Sequence, residues 1–361
     1  MLTIHINIIK AISCFVLFTF TLGCTSTAEN TINNTSTQAS AQTSLPLKLN
    51  NEISAHKAVS EMAIGINLGN TLDAPLEGDW ALPAEKSFII AFKNAGFKHV
   101  RIPVTWHHHT QQVAPFKIDE KFLTRVEQVV DWALAEDLYV ILNAHHESWF
   151  KNDYSANLPR FNKIWLQLAE RFKQKSAKLA FEILNEPTGM TMQQVNKLNR
   201  QVLALIRNHN PNRLVIYSGN GYTPLASLLS AEIPDIDDKF LIGNFHSYDP
   251  WNFAGKCIQT WGSHNHQTEL RKIYQKANQW SNDNQIPVMI NEFGAAKYDH
   301  TAPENVCDLQ QRLDYLKHHV SLAKEYAITG TFWDDGGSFS TFDRRTNTWG
   351  PEKDILVTTN N

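Results

Sequence analysis

Eight short apolar runs, separated by longer segments, constrain the fold of this chain more than any other feature. The runs are Ala63–Asn67, His99–Ile102, Tyr139–Asn143, Leu179–Leu184, Leu214–Ser218, Leu241–Phe245, Val288–Asn291 and Thr329–Trp333. Each run has the length of a buried strand, and strands that alternate with helices favour parallel βα units. Eight such units predict an α/β fold, a closed (β/α)8 TIM barrel.

The segments between the runs carry apolar residues at helical spacing. Predicted helices are Ala84–Ala95, Asp119–Glu136, Met192–Asn208, His266–Asn284 and Val306–Tyr326, with a weaker one at Pro224–Leu229. Acidic residues at the start of the second helix and Gly96 after the first are typical helix-end signals. These signals support the alternating layout.

Length and composition fit one catalytic domain, predicted to span residues 48–361. The chain has 361 residues, and a barrel of this type commonly needs about 250. A formal net charge of -3 argues against a nucleic-acid partner, which would require a basic surface. Ten Trp residues instead suit a neutral ligand with apolar faces, such as a sugar.

The first 24 residues have the pattern of an export signal, in which Lys10 precedes the uncharged apolar run Ala11–Leu22. That run is shorter than the roughly 20 apolar residues of a membrane span. Leu22-Gly23-Cys24 resembles a bacterial lipobox, although Thr21 stands where Leu, Val or Ile is usual. We therefore expect export, with lipidation at Cys24 giving an outer-membrane or cell-surface lipoprotein; an ordinary secretory signal is the alternative.

Residues 25–47 are rich in Ser, Thr and Asn and predict a flexible, disordered linker. The catalytic domain then contains two cysteines, Cys257 and Cys307, in loops that follow consecutive predicted strands. An oxidising compartment permits a disulfide between them. Sequence alone does not establish their separation, so two free thiols are the alternative.

Two acidic motifs end apolar runs: Asn185-Glu186-Pro187 and Asn291-Glu292-Phe293-Gly294. Asn-Glu-Pro is also an ordinary helix-entry tripeptide. Two Asn-Glu pairs at strand ends are harder to explain as caps, because strand ends project side chains into the mouth of a barrel. Glycoside hydrolysis needs two carboxyl groups that flank the scissile bond. Glu186 and Glu292 are the predicted catalytic pair.

Other polar and aromatic residues also cluster at or just after the predicted strands, where a barrel has its active site. They are Asn70, Arg101, Trp106, His145, His146, Asn185, His246, Tyr248 and Trp333.

With these motifs the chain resembles the family 5 glycoside hydrolases, especially the bacterial endo-β-1,4-glucanases and xyloglucanases. The resemblance extends from Asn50 to Val357 and rests on Gly65–Asp73, Val100–Trp106, Asn143–Glu147, Asn185–Pro187, His246–Tyr248 and Asn291–Gly294. The family's active-site set matches at Arg101, His145, Asn185, Glu186, His246, Tyr248, Glu292 and Trp333. The resemblance implies retaining hydrolysis with Glu186 as general acid/base and Glu292 as nucleophile.

These roles make physical demands on the site. Arg101 and Tyr248 are expected to keep Glu292 ionised through charge and hydrogen bonding. Partial burial and a nearby anion are expected to raise the pKa of Glu186, with His246 as its proton partner. Asn185 suits a hydrogen bond to the sugar 2-OH.

Trp333 is expected to stack on the reacting sugar. The predicted lining of the remaining cleft is Asn70, Trp106, His109, His146, Trp149, Trp251 and Trp349, although core packing is the alternative for any one Trp. The histidine run 107–109, with His145 and His146, suggests zinc, but adjacent side chains point in different directions. We expect no metal and no cofactor.

The predicted activity is that of a monomeric endo-β-1,4-glucanase acting on β-glucan. Xyloglucan, mixed-linkage β-glucan and, less favoured, β-mannan are alternative substrates. Asp335, which stands where relatives often have Asn, is a candidate for altering sugar contacts. A non-catalytic carbohydrate-binding surface lipoprotein is the rival from another class, but such a protein would commonly lack one of the two carboxylates.

Overall fold

The computed structural model of the protein describes residues 52–358. Its centre is a closed barrel of parallel strands: β1 (Ile64–Asn67), β2 (His99–Ile102), β3 (Tyr139–Asn143), β4 (Leu179–Glu182), β5 (Leu214–Ser218), β6 (Leu241–Ser247), β7 (Val288–Phe293) and β10 (Thr329–Phe332). Strand β1 closes the barrel by pairing with both β2 and β10. The predicted (β/α)8 barrel is confirmed.

Helices lie between the barrel strands and at both ends of the described chain. They are α1 (Ala55–Met62), α2 (Lys86–Ala95), α3 (Glu120–Ala135), α4 (Ser148–Asn152), α5 (Tyr154–Arg171), α6 (Met192–His209), α7 (Leu225–Ser230), α8 (Trp251–Ala254), α9 (His264–Asn284), α10 (Leu309–Glu325) and α11 (Glu352–Thr358). Residues His107–His109 form one 3-10 turn. Two small antiparallel sheets, within residues 52–358, pair β8 (Tyr298–Asp299) with β9 (Ala302–Val306) and β11 (Phe342–Asp343) with β12 (Thr348–Trp349).

Every predicted helix is present, with one error at a boundary. Val306 belongs to strand β9, so α10 begins later than predicted. Asp308 caps this helix, because its carboxylate accepts the backbone N–H of Gln311 at 2.9 Å. Gly96 ends α2 with a φ of 113°, the left-handed conformation that its predicted capping role requires.

Helix α1 closes the amino-terminal end of the barrel. Its buried residues belong to a separate apolar cluster with side chains of the barrel interior, including Ile141, Ile216 and Met289. Apolar packing therefore fills that end, and the buried polar residues at the carboxyl-terminal ends of the strands are free to form a site at the other.

The predicted signal (1–24), its Cys24 and the linker (25–47) lie outside the described residues. Across positions 52–358, no helix combines the length and the apolar character that crossing a bilayer requires.

Candidate active site

Arg101, near the end of β2, is the centre of a buried polar network at the carboxyl-terminal end of the barrel. All five of its N–H groups are paired. Nε and Nη2 donate to the two oxygens of Glu182 at 2.6 and 2.9 Å, and Nη2 also donates to Asn185 at 2.8 Å. Nη1 donates to Asn67 at 2.9 Å and to Glu292 at 2.7 Å. The bidentate pair with Glu182 fixes the orientation of the guanidinium group that holds Glu292.

Glu292, on β7, has two hydrogen-bond donors. Arg101 contacts its Oε1 at 2.7 Å, and the Tyr248 hydroxyl donates to Oε2 at 3.0 Å. The side chain of Glu292 is only 7% exposed. Both donors favour the ionised carboxylate, as the proposed nucleophile requires.

Glu186 lies just beyond β4, with 25% of its side chain exposed. Its φ of 41° is in the left-handed region, a conformation that costs on the order of 1–3 kcal/mol for a residue with a side chain. The Nδ1 atom of His246 lies 3.0 Å from Glu186 Oε1 and 3.6 Å from Glu292 Oε2. A ring nitrogen of His246 and one carboxylate oxygen from each glutamate all lie within 4.8 Å of one another.

The three groups titrate together, since each lies within reach of the others' charge. Burial raises the pKa of Glu186, but the hydrogen bond and charge of His246, with Lys151 and Arg101, outweigh burial and hold that pKa below its ordinary value. Burial raises the pKa of Glu292 despite the charges of His246 and Arg101. Burial lowers the pKa of His246, but both glutamates raise it above its ordinary value. The expectation of a raised pKa for Glu186 is therefore wrong for the unligated site.

Two buried charged residues beside the site had no predicted role. Lys151, on α4, is 8% exposed and donates from Nζ to the carbonyl of His145 at 3.3 Å. Burial lowers the pKa of Lys151 to about 8, and among the carboxylates that oppose this effect Glu186 acts most strongly. Glu147 is fully buried and accepts hydrogen bonds from Trp106 N and Trp149 Nε1 at 2.7 and 2.5 Å. Residue type alone gives no signal that a Lys is buried.

His145 and Trp333 stack in parallel, with ring centroids 5.8 Å apart and planes 3° apart. Asn143 accepts the N–H of Val104 through Oδ1 at 3.1 Å, so its Nδ2 donates to His145 Nδ1 at 3.0 Å. The His145 ring therefore carries its proton on Nε2 and acts as a donor there. Burial also lowers the pKa of His145 well below its ordinary value, which keeps the ring neutral.

Asp73, in the loop after β1, contacts both Asn70 of the same loop and His146, which follows β3. The buried Asp73 carboxylate accepts the backbone N–H of Asn70 at 3.1 Å, and it lies 3.7 Å from His146 Nε2. Trp80, which was not predicted, is 49% exposed and meets His146 edge-on at 5.5 Å. The sequence did offer a signal for Trp80, because a Trp in a polar loop after a predicted strand is a candidate for the cleft.

Two predicted cleft residues pack their indoles against the core. Trp106 has no exposed surface and donates from Nε1 to the carbonyl of Asn143 at 2.9 Å, so its prediction as a sugar-binding residue is wrong. Trp349, on β12, packs against Phe92, Phe97 and Phe342, with centroids 4.7 to 5.9 Å apart. The Trp349 indole is partly buried and packs on the apolar core, so its surroundings give no support for a place in the cleft, and its role there stays a prediction.

The other predicted cleft residues differ in their surroundings. His109 stacks on Phe122 at 3.5 Å and borders a cavity with residues 117–120, and His146 is not among the residues that line this cavity. Trp149 is half-buried and stacks on His107 at 5.5 Å. Trp251 is 48% exposed and meets Tyr248, which donates to Glu292, edge-on at 5.8 Å. Trp149 and Trp251 thus keep accessible surface.

Within residues 52–358, two side-chain groups have the spacing of a metal site: Asp73 with His145 and His146, and Glu186 with His246 and Glu292. In the first group the His145 ring offers no free lone pair, because Nδ1 accepts from Asn143 and Nε2 holds the proton. In the second, the residues already pair with one another and with Arg101. We assign a metal to neither.

Cys257 and Cys307 form a disulfide, with Cα atoms 4.6 Å apart. It joins the loop after β6, which carries Tyr248 and Trp251, to the segment after β9. Of the two alternatives left open by the sequence, the structure has the bridge.

Comparison with known proteins agrees with this geometry. The family model for cellulase (glycosyl hydrolase family 5) matches residues 62–338. Endoglucanase H of Acetivibrio thermocellus is 42% identical over 279 residues, which cover 77% of this chain and 30% of that protein. The chain therefore spans less than a third of the length of this curated relative.

This chain matches solved structures over a larger share of their length than it matches endoglucanase H. Endoglucanase Cel5A of Thermotoga maritima is 30% identical with a TM-score of 0.80, covering 84% of this chain and 100% of that chain. It has been solved with cellobiose and with mannotriose. A tri-modular endo-β-1,4-glucanase of subfamily 4 from Bacillus licheniformis is 36% identical with a TM-score of 0.77, covering 85% of this chain and 60% of that chain, and has been solved with cellotetraose.

The family match covers most of the chain, and the barrel brings two glutamates together at the carboxyl-terminal ends of its strands. On this evidence the protein belongs to glycosyl hydrolase family 5, the cellulase family.

Proposed function

We propose that the protein is a retaining endo-β-1,4-glucanase with Glu186 as acid/base and Glu292 as nucleophile. The observation that carries this proposal is the short separation of the pair: an oxygen of the Glu186 carboxylate lies within 4.8 Å of an oxygen of the Glu292 carboxylate. Retaining enzymes hold their carboxyl groups about 5–5.5 Å apart, whereas inverting enzymes leave about 6.5–9.5 Å for a water molecule. The close spacing supports direct attack on the sugar.

In the first step an oxygen of Glu292 attacks the anomeric carbon while the bond to the leaving oxygen breaks. Glu186 gives its proton to that oxygen, and a covalent glycosyl-enzyme ester remains. In the second step Glu186 takes a proton from water, whose oxygen displaces Glu292 from the anomeric carbon. One water molecule is consumed, and both carboxyl groups return to their starting states.

In the unligated site the lowered pKa of Glu186 and the raised pKa of His246 favour a proton on His246. A bound sugar chain expels water, and removal of water destabilises an ion pair relative to two neutral groups. The proton then moves from His246 Nδ1 to Glu186 Oε1 along their 3.0 Å hydrogen bond. Substrate binding thereby creates the acid form that the first step needs.

Sugar contacts follow from the same geometry. The parallel rings of His145 and Trp333 provide a wall for the reacting sugar, and Asn185 is oriented by Arg101 for contact with the 2-OH. Asn70, His146, Trp149 and Trp251 are the other proposed substrate contacts. Trp80 joins them because half of its surface is exposed beside His146.

The proposed substrate class is β-1,4-glucan. Structural neighbours bind cello-oligosaccharides, and one of them also binds mannotriose. The bound mannotriose supports β-mannan as one alternative, beside the xyloglucan and mixed-linkage β-glucan that the sequence leaves open. Asp335 does not favour any of them, because its side chain accepts the N–H groups of Gly337 and Phe339 within its own loop.

We further propose that the protein is exported, by lipidation at Cys24 or by ordinary secretion, and acts as a monomer. The disulfide supports export, since disulfides persist in oxidising compartments. Mass spectrometry of the mature amino terminus tests the lipidation: an amino-terminal Cys24 with a diacylglyceryl group on Sγ is the expected result, and an unmodified amino terminus elsewhere would contradict it.

The activity is tested with the purified, exported protein on carboxymethylcellulose, mixed-linkage β-glucan, xyloglucan and mannan. We expect turnover of a β-glucan, with loss in both Glu186→Gln and Glu292→Gln, and β-configured first products by NMR. α-Configured first products would contradict the retaining mechanism. Polymer binding without turnover by the wild type would favour the non-catalytic binding protein instead.

A further inference from the structure

Two loops meet beside Tyr248 at the mouth of the barrel. The loop after β6 spans residues 248–263 and contains α8, and the loop after β7 spans residues 294–308 and contains the β8–β9 hairpin. The Cys257–Cys307 disulfide joins them. Close to it, Ala296 N donates to the carbonyl of Ala254 at 2.7 Å. The two loops therefore form one connected unit.

The loop after β7 is also joined to the loop after β10. Lys297 donates from its backbone N–H to Ser338 O and from Nζ to Ser340 Oγ, both at 2.7 Å. The backbone N–H of Cys307 in turn donates to Lys297 O at 2.9 Å. The disulfide thus sits in a chain of contacts that crosses three consecutive loops of the site.

Trp251 depends on the backbone between itself and Cys257. Its indole is folded over Gly255, where an added Cβ would lie 2.3 Å from the ring. Nearly half of the Trp251 surface remains exposed, and its ring meets Tyr248 edge-on. A change in the path of residues 251–257 would therefore move the indole.

Apolar packing holds Phe253 and Ala254 firmly but is sparse on either side of the disulfide. Phe253 and Trp261 both pack on Tyr315, with centroids 5.4 and 5.3 Å away. Between these two anchors, however, Ile258 is 60% exposed, and Val306 on the other loop is 69% exposed. At this point no buried apolar contact between Ile258 and Val306 joins the two loops, and the covalent bond joins them instead.

We propose that the Cys257–Cys307 disulfide and Gly255 are positioning residues that hold Trp251 as a stacking surface for a sugar unit beyond the reacting one. This inference rests on the proposed function. Tyr248 is held independently, since β6 pairs with β7 up to Ser247 and Phe293. Loss of the bridge should therefore weaken binding of long substrates more than it slows the chemistry on short ones.

The test compares the wild type with Cys257→Ser/Cys307→Ser on a cellohexaose-length oligosaccharide and on a short aryl cellobioside. We expect KM for the long substrate to rise roughly 2- to 10-fold, the range of one aromatic contact. We expect kcat on the short substrate to be nearly unchanged. Gly255→Ala, with the disulfide intact, should likewise raise KM for the long substrate and leave kcat on the short substrate nearly unchanged. This variant keeps the test valid if the double variant fails to fold. Ile258→Ser, exposed beside the bridge, is the matched control and should behave as the wild type.

A double-mutant cycle with Trp251→Ala decides whether the bridge acts through the indole. If it does, Trp251→Ala adds little to the loss already caused by removing the bridge. The inference would be overturned if the effects of Trp251→Ala and of bridge removal on KM were additive, or if activity fell equally on both substrates. The bridge would then contribute to folding stability alone. Absence of turnover by the wild type would instead overturn the proposed function. Calorimetric Kd values for the oligosaccharide in a Glu292→Gln background, with and without the cysteines, would then test the bridge separately.

Discussion

Lys151 places a buried positive charge beside the acid/base residue. Its charge lowers the pKa of Glu186, so Lys151→Met should raise that pKa and move the alkaline limb of the kcat/KM–pH profile to higher pH. Lys151→Arg retains the charge and is the matched control. A Met variant whose profile coincides with that of the wild type would show that the ammonium group serves packing only.

Gly69 makes room for the ring of Trp333. A Cβ at this position would lie 2.9 Å from both the Trp333 ring and the carbonyl of Asp334. Gly69→Ala should displace the ring, raise KM and destabilise the fold by about 1–3 kcal/mol, as overpacking commonly does. Steady-state kinetics and urea unfolding check both effects. Gly337→Ala, where the nearest contact is an ordinary 3.5 Å, is the control and should leave stability nearly unchanged.

At the residue scale, the sequence identifies groups whose chemistry shows in their type and in their place after a strand. The meeting of Glu186 and Glu292 at one end of the barrel was predictable in this way. Trp106 was not, because a Trp directly after a strand faces either the cleft or the core, and side-chain direction depends on geometry that residue type does not carry. Lys151 and Glu182 were missed because their role comes from burial beside other charges.

At the scale of elements, the barrel strands were predictable because buried parallel strands appear as continuous apolar runs. Helix α5 was missed because Pro159 interrupts a polar stretch, and its buried face, with Phe161 and Trp165, shows only in the fold. The β8–β9 hairpin was missed because β9 is largely exposed and so lacks an apolar run.

The start of α10 depends on its cap. Asp308 accepts the Gln311 N–H, so Asp308→Ala should lower the free energy of unfolding by about 1 kcal/mol. Urea denaturation measures this change. Asp314→Ala, an exposed carboxylate within the same helix, is the control, and an equal loss in both variants would argue against a capping role.

At the scale of the whole molecule, the number of strands predicted a barrel, but closure depends on contacts between distant parts of the chain. Gly65 on β1 pairs with both His99 on β2 and Thr331 on β10, and no local pattern shows such pairing. The seal formed by α1 at the amino-terminal end was likewise not predicted, because an amphipathic helix does not reveal which surface it covers.

Buried neutral histidines should make the fold sensitive to acid. Burial lowers the pKa of His319 to about 3 and that of His99 to about 4. Because these folded-state values lie below the unfolded value of about 6.5, each group contributes stability that is fully present above pH 6.5 and is lost as pH falls towards the folded-state value. Each adds a slope of up to about 1.4 kcal/mol per pH unit in that window.

His319→Gln isolates one of these contributions. His319 Nδ1 lies 2.9 Å from the Tyr274 hydroxyl, and an amide side chain preserves a polar partner there. The variant should be less stable than the wild type at pH 7, and the difference should shrink as pH falls from 6.5 to 4, because only the wild type takes up the extra proton on unfolding. Urea unfolding across this range tests the prediction, with the exposed His300→Gln as control. Parallel stability curves for His319→Gln and the wild type would show that His319 is protonated equally in the folded and unfolded chains.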